Sequence, residues 1–124
     1  MKTSLISLLK IALAAAAASV LAQSAWAHAH PQQQTPGVGA TVGADQKQVS
    51  IEFDDALEPA FSVLQVADAH GKSVTSGRSS VDAGDKKHMT VALQALKPGD
   101  YTVSWVAVAE DGHRTQGHYR FTVK

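Results

Sequence analysis

Leu96–Val108 reads LKPGDYTVSWVAV, and this stretch decides the fold. Lys97-Pro98-Gly99-Asp100 predicts a type II turn, because proline presets φ at the second position and glycine accepts positive φ at the third. Beyond it, Tyr101, Val103, Trp105 and Ala107 alternate with Thr102, Ser104, Val106 and Val108. A period of two belongs to a strand, and apolar character on both faces predicts a central one. Downstream, Glu110–Gly117 reads as a loop, and Tyr119, Phe121 and Val123 form an inward triplet on a last strand. Upstream the same period recurs. Val49, Ile51 and Phe53 face one way, Phe61–Ala67 is a strand with Leu64 and Val66 inward, and Met89, Val91 and Leu93 follow suit. His70-Gly71-Lys72 and Asp82–Asp85 are turns, with a weak strand near Ser73–Ser76. Residues 28–47 are rich in Gln, Gly and Pro and predict an extended arm, with strand content only around Ala40–Val42. The sole helical prospect, Asp55–Glu58, is one turn long and is followed by Pro59. Short strands separated by turn signals every 8–12 residues or so predict an all-β sandwich or closed barrel.

The first 27 residues read differently. Lys2 and Lys10 supply positive charge, and Ile11–Ala22 is an Ala/Leu-rich run broken only by Ser19. Ala25-Trp26-Ala27 is a small-x-small exit. These are the parts of a secretory signal peptide, and the run falls short of the roughly 20 residues a membrane span needs. Cleavage after Ala27 leaves a mature domain of residues 28–124, with no membrane anchor. Removing Lys2 and Lys10 leaves nine basic against eleven acidic residues, a formal charge of −2. That balance gives no footprint for nucleic acid or an anionic membrane surface. The chain has no cysteine, so an exported fold here has no disulfides, and a metal site must draw on His, Asp, Glu, Met or the terminus.

All six histidines lie after residue 27. Processing would make His28 the first residue, offering an α-amino group and Nδ1 that together close a six-membered chelate ring. Asp111-Gly112-His113 adds a carboxylate and an imidazole two residues apart. Three nitrogens and one oxygen suit tetragonal Cu(II) better than a tetrahedral structural zinc site. A rival mode uses His28-Ala29-His30 alone: the amine, two backbone amide nitrogens and the His30 ring would form a square-planar Cu(II) or Ni(II) complex. Plain readings stand beside these. Asp111-Gly112 is also an ordinary turn and His113 a loop residue; His70, His88 and His118 read as surface, Met89 and Trp105 as core. Asp54, Asp55 and Glu58 are either a solvated acidic loop or carboxylates that accept from a ligand histidine.

Several stretches, in order, resemble the CopC/PcoC family of periplasmic copper-binding proteins. They are the start His28-Ala29-His30, TPGVGATV, IEFDDALEPAFSVLQV, LKPGDYTVSW and DGHRTQGHYRFTV. The resemblance covers essentially the whole mature length. It implies a Greek-key β-barrel of the cupredoxin-like or immunoglobulin-like kind. It implies one Cu(II) ion per chain held by His28, Asp111 and His113, and a role in copper homeostasis and resistance. A CopD-type inner-membrane copper transporter is the implied partner. The chain departs from the family twice. Its only methionine after residue 27 is Met89, so the thioether Cu(I) site of some members lacks ligands. It also has Asp54-Asp55 where many members have Ser-Glu. No nucleophile–base arrangement is visible, so no catalysis is expected. The alternative is a copper-dependent oxygenase with an N-terminal histidine brace; a third reading is a structural β-domain with incidental histidines.

Overall fold

A computed structural model describes residues 28–124. The expected signal peptide, residues 1–27, lies outside the described residues. Eight strands follow in order: β1 (Pro31–Thr35), β2 (Thr41–Val42), β3 (Gln48–Phe53), β4 (Val63–Ala67), β5 (Ser80–Val81), β6 (His88–Ala92), β7 (Gly99–Val108) and β8 (Arg114–Val123). They form two four-stranded sheets, ordered β1-β3-β6-β5 and β2-β8-β7-β4. All pairings are antiparallel except β2 with β8. Consecutive strands repeatedly change sheet, as in a Greek-key sandwich. The all-β expectation therefore holds.

The predicted inward residues meet between the sheets. Val49, Ile51, Phe53, Leu64, Val66, Met89, Val91, Val103, Ala107, Phe121 and Val123 are all buried. Burying a side chain of Val, Leu or Phe size stabilises by about 1.5–3 kcal/mol, so these alternating faces drive the two sheets together. The β7–β8 hairpin is the spine of the second sheet, with an unbroken register from Gly99↔Val123 to Val108↔Arg114. That register delivers residues 109–113 to one end of the sandwich.

Three expectations need correction. The N-terminal arm is a strand, β1, paired with β3 through Pro31↔Phe53 and Gln34↔Ile51. Its side chains are mostly exposed, so main-chain pairing rather than apolar alternation makes it a strand, and proline is tolerated because the strand is an edge. Phe61 lies outside β4: it is 66% exposed, and its N–H donates to Glu58 C=O at 3.2 Å, closing a turn. The Lys97–Asp100 segment is not a type II turn. Gly99 already pairs in β7, with φ of +149°, where a type II turn needs about +80°. The Tyr101 hydroxyl secures the corner instead, donating to Lys97 C=O at 2.6 Å and accepting from Lys97 N–H at 3.1 Å.

A second tyrosine ties β8 to the opposite segment. Tyr119 is buried and its hydroxyl donates to Pro36 C=O at 2.9 Å. Burial pushes its pKa up from 10.0 to about 12. A raised folded pKa stabilises the fold fully below the unfolded value and loses that contribution as pH climbs through the folded one. Ultraviolet titration of the phenolates should therefore show Tyr119 ionising late, with stability falling between pH 10 and 12. Tyr119→Phe should remove that late step.

Candidate metal site

The site forms where the β7–β8 hairpin turns. Ala109 N–H donates to His113 C=O, and Gly112 N–H donates to Ala109 C=O, both at 2.9 Å. Gly112 sits at φ +89°, a conformation that a side chain would strain. Asp111 then organises the tip. Its Oδ1 accepts the His113 backbone N–H at 3.0 Å, and its Oδ2 lies 2.8 Å from His113 Nδ1. An ionised carboxylate only accepts, so the ring donates from Nδ1. The His113 backbone N–H, the His113 ring contact and the nearby charges of His113 and His28 hold the Asp111 carboxyl below its usual value of 3.8. Asp111 thus stays ionised in mild acid.

The N-terminal segment comes to this tip from the other sheet. The rings of His28 and His113 stand edge to face, with centroids 4.9 Å apart, and His30 lies 6.4 Å from His28. Ala29 is fully buried in the core. Thr115 Oγ1 donates to Ala29 C=O at 2.7 Å, and His30 N–H donates to Asp54 Oδ1 at 2.7 Å. Backbone pairing continues the hold, with Asp54 N–H donating to His30 C=O at 3.0 Å.

Among the described residues, His28 Nδ1 is a buried side-chain polar atom with no hydrogen-bond partner. Leaving such an atom unsatisfied costs about 1–3 kcal/mol, so it points to a missing partner. It is also the nitrogen that would close a chelate with the α-amine. The side chains alone do not make a complete cage: among the described residues, no three His, Asp or Glu groups gather closely enough to hold an ion. If cleavage after Ala27 frees it, the His28 α-amine would be one further donor.

The structure thus sets the His28 ring beside His113, which Asp111 holds, and places other candidates apart. His118 is exposed on the outer face of β8, opposite Ser104. His88 pairs with Glu52 on the first sheet, and His70 sits in the turn after β4. Met89 is fully buried in β6. Trp105 packs edge to face on Phe53 at 5.4 Å and lies across Gly117, where an added Cβ would come within 2.6 Å of its ring. Asp55 Oδ1 accepts from Ala56 N–H, and Asp54 accepts from backbone rather than from a histidine ring. Lys86 and Glu110 form an ion pair at 3.5 Å beside the loop, too exposed to contribute much. Sequence reasoning passed over Thr115. The available signal was a polar residue in the inward register of β8, two and four places before Gly117 and Tyr119.

Known proteins share this arrangement of strands. In the crystal structures, CopC from Methylosinus trichosporium OB3b is 31% identical, covering 78% of this chain and 94% of that one with a TM-score of 0.73. PcoC, a methionine-rich copper resistance protein from Escherichia coli, is 28% identical, covering 79% of this chain and all of that one, with a TM-score of 0.70. Protein YobA of Escherichia coli K12 is 37% identical over 117 residues, 94% of each chain. Copper transport protein CutJ of Bacillus subtilis is 30% identical over 104 residues, which are 83% of this chain and 19% of that protein. Residues 31–124 match the CopC domain family. The chain belongs to the CopC family.

Proposed function

We propose that this protein binds one Cu(II) ion per chain in the periplasm, through His28, Asp111 and His113, and serves copper homeostasis and resistance as a carrier or buffer. The observation that carries this reading is the buried, partnerless Nδ1 of His28, 4.9 Å ring to ring from His113. Kinship with a copper resistance protein and a copper transport protein supports the choice of metal. After signal cleavage, His28 supplies its amine and Nδ1, and His113 an imidazole nitrogen. Copper on His113 Nε2 keeps Asp111 as the carboxylate that fixes the ring; copper on Nδ1 displaces that contact and finds Oδ2 beside it. Both routes place one negative charge next to a divalent ion. A CopD-type inner-membrane transporter is the proposed recipient or donor. In CutJ a region like this chain is 19% of a protein named for copper transport, which supports pairing with a copper transporter.

The test is a Cu(II) titration of protein beginning at His28, followed by paramagnetic resonance and by emission of Trp105, the one tryptophan after residue 27. Saturation at one ion, with a tetragonal nitrogen-rich spectrum, is expected. Replacing partners that orient metal ligands weakens affinity by about 10–100-fold, so Asp111→Asn should fall in that range and His113→Ala at or beyond its upper end. Undiminished binding by His113→Ala would sink the site. Because the amine and imidazoles bind metal without their protons, affinity should also drop in mild acid.

A further inference from the structure

We infer that Asp54 and Thr115 form a clamp on the Ala29–His30 peptide that reserves the N-terminus for the folded site and denies it to square-planar chelation by the terminal tripeptide. The inference rests on the reading of His28 and His113 as metal ligands, and it assigns the residues that enforce that mode over its rival. The Ala29 carbonyl and the His30 N–H belong to one peptide group. Thr115, at the start of β8, grips the oxygen at 2.7 Å; Asp54, just after β3, grips the N–H at 2.7 Å. The two grips come from opposite sheets, so the peptide plane is fixed from both sides. The Ala29 methyl, buried in the core, is a third anchor.

Square-planar nitrogen coordination suits Cu(II) and Ni(II) alike. In the tripeptide mode the four donors are the amine, the backbone nitrogens of Ala29 and His30, and the His30 ring. The His30 nitrogen would have to turn from Asp54 into the metal plane. The same rotation pulls the Ala29 carbonyl off Thr115 and draws Ala29 out of the core. The folded mode asks none of this. In the posture that occupies the His30 N–H, His28 Nδ1 has no partner and the His28 ring stands 4.9 Å from that of His113. The clamp is thus a selectivity device: an N-terminus that begins His-Ala-His would otherwise be a good ligand for Ni(II).

Mature protein, Thr115→Val, Asp54→Ala and the double variant should be titrated with Ni(II) alone and with Cu(II) alone, after circular dichroism and melting confirm the fold. Thr115→Val keeps side-chain shape and carries the test if Asp54→Ala does not fold. Wild type should show no diamagnetic square-planar Ni(II) band. The double variant should develop it, with Ni(II) affinity raised by at least about tenfold, roughly what releasing two hydrogen bonds is worth. Adding His30→Ala should abolish the gain. For Cu(II), dependence should shift from His113 in wild type towards His30 in the double variant. A double variant with no Ni(II) band, or a wild type that already binds through His30, overturns the clamp. Wild-type Cu(II) binding that ignores both His113 and His30 instead overturns the ligand assignment, while the Ni(II) arm still reads the clamp.

Discussion

Blocking the α-amine of His28, by acetylation or by one residue retained ahead of it, should lower Cu(II) affinity by about 100-fold or more, the upper end of what disturbing a metal's supporting shell costs. The fold should be untouched, because Ala29 and β1 anchor the segment without help from the amine. The amine and Nδ1 of His28 act as one chelating unit, so losing the amine removes a ligand and also frees the ring it held. Competition against a chelator of known affinity measures the loss. A melting experiment gives an independent reading. Ligand at 100 times its Kd stabilises the native state by about 2.7 kcal/mol, and a hundredfold weaker site at the same free copper gives only about 0.4 kcal/mol. Equal affinity in blocked and free forms would mean that imidazoles alone bind the ion. The functional corollary concerns timing. If cleavage after Ala27 creates the ligand, the precursor cannot form this site before export, so copper capture would be confined to the compartment that receives the mature chain.

The parts of this design differ in how far the sequence exposes them. β3, β7 and β8 are legible because each buries one face, and a buried face writes a period of two into the residues. β1 is not, since Pro31–Thr35 contributes backbone pairing to an edge and its side chains obey no burial pattern. Phe61 misleads for the converse reason: an aromatic abutting an apolar run reads as strand, yet a turn begun at Glu58 leaves it in solvent. At the site, Asp111-Gly112-His113 is legible as local chemistry, because an aspartate accepting from the backbone two residues on, with glycine between, is a recurrent turn. The meeting of His28 with His113 depends on register across 84 intervening positions: donor chemistry and family resemblance both pair them, but no local pattern does. The grip of Thr115 on Ala29 spans 86 positions and leaves no local trace.

Phe53 joins packing to the site, and Phe53→Ala should be the most damaging single core change, costing about 3–5 kcal/mol. The side chain is fully buried, packs edge to face on Trp105 at 5.4 Å, and its strand pairs with both β1 and β6. Its N–H donates to Lys87 C=O at 2.8 Å, and the next residue is Asp54, which holds His30. A domain of this size has total stability of about 5–15 kcal/mol, so the loss is a large share of it. Urea unfolding followed by Trp105 emission should show a much lower midpoint, with the slope unchanged if two-state behaviour survives. The native emission should also move to longer wavelength as water reaches the indole. Copper affinity should fall too, by less than in His113→Ala, because the ligands remain and only their support loosens. Phe61→Ala is the control: the same residue type eight positions on, 66% exposed, should stay within about 0.5 kcal/mol of wild type. Equal costs at the two positions would contradict the packing of Phe53 between the sheets. A large cost at Phe53 with unaltered copper binding would show instead that the end of β3 does not position the N-terminal histidine.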